Sequence, residues 1–263
     1  MEILVNSHTH IGDAFIDIGD KNWKLDELVA PPHGFKHEMM RKASEGEIIE
    51  GMKKAISVME RCGTTHFIDF REGGVEGIKI LKKAMGGSRL NAIILGRPLE
   101  LRYDSEEVNG ILRISEGIGV SSISDWDYEE AKAIAEHVAS RKKILALHAS
   151  EDKREDIGKI LDLSPMFLIH LCKANEEDIK EVVRKGIGVV VCPRANAFFG
   201  LVPPVNILLE YKADIMLGTD NAMIVKPDIM EEKKYVMRKF GVSEEKANEM
   251  ISATPEKLFG KFI

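Results

Sequence analysis

Two histidines two residues apart, in Asn6-Ser7-His8-Thr9-His10, follow the apolar start Ile3–Val5. On an extended strand alternate side chains share a face, so His8 and His10 can converge on one metal ion. His148 and His170 close two further apolar runs, Ile144–Leu147 and Met166–Ile169, and Asp220 follows Ile215–Leu217 after Gly218-Thr219. Read singly, each has a plain alternative: a strand-end histidine can bond a loop carbonyl, and an aspartate can cap a turn. Five residues at four strand ends, all of metal-ligand types, make a shared metal cluster the better reading. Glu151, three residues after His148, could move a proton to or from a substrate. Ser150 could equally cap a helix whose first turn carries Glu151 and Asp152. Arg71, Arg97 and Arg194 follow strand ends and could orient an anionic group of a substrate or salt-bridge a loop; Asn196 is grouped with them as a substrate contact. His66 and His137 read as core or surface residues, and His33 with His37 as an exposed polar pair in the first connection.

The elements that must position these groups are short apolar runs, recurring every 20–30 residues with helix-like stretches between most of them. The remaining runs are His66–Phe70, Ala92–Leu95, Ile118–Val120 and Val189–Val191. Continuous, bounded, branched runs suit strands buried on both faces of a parallel sheet. Ser44 with Glu47 forms a capping-box pattern that opens a helix to about Arg61. Tyr128–Arg141 and Asn175–Lys185 carry apolar residues at helical spacing. Eight strands alternating with helices predict an α/β fold, a single (β/α)8 TIM barrel over 1–263 with the metal site at the C-terminal strand ends. A doubly wound open sheet is the alternative, but no glycine-rich phosphate loop follows the first strand. The connection 11–43 is unusually long and is read as a loop that could cover the site.

Composition narrows the function classes. The 263 residues carry 37 Lys+Arg against 43 Asp+Glu, a formal net charge of −6. Bulk attraction to nucleic acid or an anionic membrane is therefore not expected. Hydrophobic residues make up 44%, enough for a sizeable core. The chain opens Met1-Glu2-Ile3 without a basic-then-apolar leader and has no run of eighteen apolar residues, so a cytoplasmic, non-membrane protein is expected. Three widely spaced cysteines indicate neither a disulfide framework nor a zinc ribbon. Glutamine is absent while Lys and Glu abound, a composition that leans towards a thermophilic source.

Several motifs resemble the amidohydrolase superfamily, within it the branch of cytosine, guanine and adenosine deaminases and triazine chlorohydrolases. Asn6-Ser7-His8-Thr9-His10 is similar to the first-strand metal motif, and Gly63-Thr64-Thr65 to a segment before the second strand. His148-x-x-Glu151 is similar to the fifth-strand motif, and His170 to the sixth-strand histidine. Cys192-Pro-Arg-Ala-Asn196, Leu217-Gly-Thr-Asp220 and Ala253–Gly260 extend the likeness along the chain. The resemblance implies that His8, His10, His148 and Asp220 hold one divalent ion, Zn2+ first, with Fe2+, Mn2+ or Ni2+ also compatible. It implies that His170 stands beside the bound water, that Asp220 assists deprotonation and that Glu151 donates a proton to a substrate nitrogen.

The departures are specific. Ala195 stands where larger relatives carry serine, and Asn221 where many carry glycine or serine. Gly119-Val120-Ser121-Ser122 offers no bridging lysine or glutamate, which favours one metal over two. The β-sandwich domain of larger members is not expected. The resulting expectation is an aminohydrolase of a small heterocycle. A cyclic amide or lactone hydrolase, a metal phosphoesterase and a non-catalytic ligand-binding barrel are the alternatives. Aromatics are only 6% of residues, with Phe198, Phe199 and Trp23 as the candidates for stacking on a ring. The partner is a small molecule. A homo-oligomer stays open, with the Met39-Met40 pair and the first connection as its candidate surface.

Overall fold

A computed structural model describes residues 3–263. Its nine strands are β1 Val5–His10, β2 His66–Arg71, β3 Asn91–Gly96, β4 Gly117–Val120, β5 Ile144–Ala149, β6 Phe167–His170, β7 Gly188–Val191, β8 Ile215–Leu217 and β9 Asp220–Asn221. They form one curled sheet in the order β8-β7-β6-β5-β4-β3-β2-β1-β9, parallel throughout. Each expected apolar run coincides with a strand or leads into one, the first contributing only Val5 to β1. The ninth strand, Asp220–Asn221, follows β8 after the two residues Gly218 and Thr219 and pairs with β1 instead of β7.

The strands are buried on both faces because each side of the sheet is filled differently. Ile68, Phe70, Ile93, Leu95, Ile144, Ala146, Phe167, Ile169, Val190 and Met216 pack together on the inner, concave side. Their sequence neighbours, among them Phe67, Ile94, Leu145, Leu147, Leu168 and Val189, pack outward under the helices. This alternation places His148 on the same side as Ile144 and Ala146. Phe259, in the helix Ala253–Phe259, packs edge-on against Phe167 with ring centroids 5.3 Å apart.

The long first connection is not an open loop. It contains a 3-10 turn Ile11–Asp13 and the helices Leu25–Val29 and Phe35–Lys42. Ile16, Leu28 and Met223 form its own small buried cluster. The helix after it, Glu45–Arg61, starts on the expected capping box between Ser44 and Glu47. Helices Tyr128–Ser140 and Glu176–Arg184 match the expected periodic stretches, the second capped by Asn175. No helix among the described residues is long and apolar enough to cross a membrane.

Candidate metal centre

His8, His10, His148 and Asp220 bring one donor atom each to within 4.8 Å of one another. His148 Nε2 lies 3.2 Å from His8 Nε2 and 3.3 Å from His10 Nε2. Asp220 Oδ1 lies 3.3 Å from His8 Nε2 and 3.6 Å from His10 Nε2. Ligand atoms about 2.0–2.1 Å from a tetrahedral ion stand about 3.3–3.4 Å apart, so the spacing is that of a four-coordinate site.

The outer nitrogens of two rings are already committed. His148 Nδ1 faces the Val120 carbonyl at 3.0 Å, and His10 Nδ1 faces Glu72 Oε1 at 3.0 Å. Both partners accept only, so each Nδ1 carries the hydrogen and each Nε2 presents a lone pair. Two lone pairs aimed at each other across 3.3 Å repel, and a cation between them removes the conflict. The donor set therefore fits a divalent metal. Burial, with a further push from Lys36, lowers the His8 pKa to about 3. Burial followed by repulsion from His8 does the same for His148, to about 3. His10 is also held well below the usual range, first by burial and then by Lys36. All three rings are neutral at neutral pH, the form that binds metal.

Backbone geometry holds the cluster. Asn6 Nδ2 donates to Thr219 Oγ1 at 2.8 Å, and Thr219 N bonds the His8 carbonyl at 3.0 Å. These bonds fix β1 against the segment that delivers Asp220. A Cβ on Gly218 would lie 2.6 Å from His8 Cβ, so only glycine allows this approach. Phe70 forms the floor beneath the rings, edge-on to His8 at 4.5 Å and to His148 at 5.1 Å. Gly119 leaves room for it, because a Cβ there would meet the Phe70 ring at 2.3 Å. His170 and Asp220 have φ of 78° and 62°, left-handed conformations that cost energy for residues with a Cβ.

Beside the tetrad, His170 Nε2 stands 3.3 Å from Glu151 Oε2. The Asn196 amide nitrogen reaches both, at 3.1 Å from Glu151 Oε1 and 3.1 Å from His170 Nδ1. Glu151 belongs to no helix, since the next one, Ile157–Asp162, is capped by Asp156. The capping alternative for Glu151 therefore fails. Burial, reinforced by the Asp220 carboxylate, pushes the Glu151 pKa well above the usual carboxylate range. Burial also lowers His170 to about 3, against the opposing pull of Asp220. A cavity of about 170 Å³ opens over these groups, lined by His10, His148, Glu151, His170, Asp220 and Arg97 among others.

Other candidates are placed differently. Arg71 is 1% exposed, and its guanidinium is committed to Asp69, the Glu72 carbonyl and Glu72 Oε2. Arg194 pairs with Glu232 and bonds the carbonyls of Lys226 and Asp228, away from the cavity. Of the stacking candidates only Phe199 lines the cavity; Trp23 packs on Phe35, and Phe198 is an exposed neighbour of Phe199. His33 is exposed as expected, but His37 is buried, its Nε2 facing the Val29 carbonyl at 3.1 Å.

Sequence reasoning missed Lys36, Glu72 and Asp13. Lys36 Nζ, almost fully buried, lies 2.6 Å from Glu72 Oε1 and 3.4 Å from Asp13 Oδ2. Burial alone would raise the Glu72 pKa, but Lys36, His10 and Arg71 together hold it well below the usual range. Glu72 is thus a fixed carboxylate behind His10. Its one sequence signal is its position immediately after β2.

The amidohydrolase family model matches residues 4–262. The chain belongs to the amidohydrolase family, a class of metal-dependent hydrolases. It is 35% identical over 256 residues to a protein of Methanothermobacter thermautotrophicus that bears the provisional name aminohydrolase, covering 89% of this chain and 66% of that one. The chain thus spans about two thirds of that curated relative's length. Among solved structures it is similar to guanine deaminase from C. acetobutylicum, with TM-score 0.77 and 17% identity over 99% of this chain and 74% of that one. It is equally similar to a zinc-bound adenosine deaminase from Xanthomonas campestris, with TM-score 0.77 and 14% identity over 99% of this chain and 67% of that one. At these identities the structural likeness speaks for the fold.

Proposed function

We propose that the chain is a single-metal aminohydrolase of a small heterocycle. In this reading β8 and β9 act as one interrupted strand that closes a (β/α)8 barrel, with the site at the C-terminal strand ends. The observation that carries it is the tetrad of His8, His10, His148 and Asp220, with donor atoms 3.2–3.6 Å apart and two opposed lone pairs. These four residues would hold one divalent ion, Zn2+ by donor chemistry, with Fe2+, Mn2+ and Ni2+ compatible. When bound, the ion supplies Lewis acidity that lowers the pKa of water towards neutrality.

The chain's own residues perform the proton transfers. Asp220 takes the proton of the attacking water as its oxygen bonds to the amine-bearing carbon. Glu151, kept protonated by its surroundings, gives its proton to the departing nitrogen; the C–N bond breaks and ammonia leaves. Asn196 holds Glu151 and His170 in register, and His170 presents its Nε2 to the reacting group. The aminohydrolase name of the archaeal relative and the deaminase neighbours support this class of reaction.

One observation favours a second reading. Glu151, His170 and Asp220 also bring donor atoms within 4.8 Å of one another, a second potential metal set that shares Asp220. Two ions would suit a phosphoesterase. The test is ammonia release by metal-loaded protein from a panel of purines, pyrimidines, pterins and cyclic amides. Release from at least one, abolished by Asp220→Asn, supports the proposal. Ring opening without ammonia moves the assignment to a cyclic amide hydrolase, and metal without turnover moves it to a ligand-binding barrel.

A further inference from the structure

A second cavity, of about 670 Å³, lies behind the first and shares Pro31, Glu72 and Arg97 with it. Its lining is largely apolar, with Met40, Ile48, Ile80, Leu99 and Leu101 among the residues that form it. Arg97 stands at the neck. Its side chain is 13% exposed, and its nearest carboxylate oxygen, Glu72 Oε1, is 4.0 Å away. Among the described residues its guanidinium makes no hydrogen bond. Glu72 is already saturated by Lys36, Arg71 and His10. The acids at the mouth are also engaged, Glu76 by Lys79 and Glu100 by Arg102. Asp125 lines the first cavity with Arg97, and Arg41 lines the second, bonded to the Pro32 carbonyl, so Arg97 is a cation whose nearest carboxylate contact is 4.0 Å, placed between a polar cavity and an apolar one.

We propose that Arg97 and this second cavity form the distal half of the substrate site, taking a carboxylate at the neck and an aliphatic arm beyond it. The inference rests on the amidohydrolase reading of the first cavity and narrows the substrate to an amino-heterocycle with an anionic, apolar extension. A guanidinium freed from protein partners matches a planar carboxylate through two parallel hydrogen bonds. The aliphatic arm gains by leaving water for a surface of Met, Ile and Leu side chains.

Calorimetric titration of the metal-loaded protein with butanoate, hexanoate and octanoate, and with the matching alcohols, tests the proposal without requiring turnover. Affinity is expected to rise about threefold to fourfold per added methylene, the gain for burying a CH₂ group. Arg97→Met should weaken carboxylate binding at least about tenfold and leave the alcohols unchanged. Ile80→Trp and Met40→Trp, which each add bulk at a residue lining the cavity, should each abolish the chain-length dependence without changing the unfolding temperature by more than a few degrees. Carboxylate binding that ignores chain length, or that survives Arg97→Met intact, overturns the proposal, because the probe is then held by the metal. A shift in oligomeric state with Ile80→Trp and no alkanoate binding also overturns it, in favour of a surface between two copies of the chain. Chain-length-dependent binding in a protein that releases no ammonia from any compound would leave the distal site standing and remove the reaction.

Discussion

His10 and His148 point their Nε2 atoms at each other across 3.3 Å while Glu72 and Val120 hold their Nδ1 atoms from behind. This arrangement is costly without a cation and favourable with one, so metal binding should stabilise the fold. Treatment with a chelator should lower the unfolding temperature. At metal concentrations 100 times the dissociation constant the coupling is worth about 2.7 kcal/mol, which is about 5–10 °C for a chain of this size. Differential scanning calorimetry with and without chelator, followed by metal restoration, measures it.

Glu151 is the proton donor in this account, so Glu151→Gln should lower kcat by about 10²–10⁴ while the metal stays bound. Its raised pKa fixes the sign of the pH dependence. The group works when protonated, so kcat should fall as pH rises through that pKa. A pH–rate profile of the wild type should show this alkaline limb, and the residual activity of the Gln variant should lack it.

Lys36 neutralises Glu72, and Glu72 orients His10. Lys36→Met leaves the buried carboxylates Glu72 and Asp13 under-compensated, at a cost of about 3–5 kcal/mol. Metal affinity should fall about 10–100-fold because the support behind a ligand histidine is lost. Chelator competition gives the affinity and urea unfolding gives the stability. A Lys36→Met protein with unchanged metal affinity would detach the first connection from the metal site.

Burial raises the Asp13 pKa from 3.8 to about 6, against the opposing pull of Lys36 and the hydrogen bond from Asn221. The folded chain therefore holds this proton at pH values where the unfolded chain has released it. Stability from this group is complete below about pH 4 and is lost as pH rises through about 6, by on the order of 3 kcal/mol. Asp13→Asn should remove this dependence. Urea unfolding of both proteins at pH 4, 5, 6 and 7 compares them.

The strands and the tetrad were legible because parallel strands buried on both faces read as bounded apolar runs, and chemistry collects where those runs end. His8, His10, His148 and Asp220 each announce themselves by residue type at such an end. Glu151 could not be separated from a helix cap until the next helix proved to begin six residues later, at Ile157. The arginines show the limit. Arg71, Arg97 and Arg194 all follow strand ends, and only three-dimensional pairing distinguishes the two held by Glu72 and Glu232 from Arg97. Lys36 was invisible for a related reason. A lysine in a polar connection reads as solvated, and its burial depends on Glu72 and Asp13, 36 and 23 residues away in sequence.

Four ligands around one ion set the metal stoichiometry, which elemental analysis of purified protein reads directly. The wild type should carry close to one divalent ion per chain and a folded His148→Ala variant close to none. Two ions per chain, or a His148→Ala protein that keeps its metal, would contradict it.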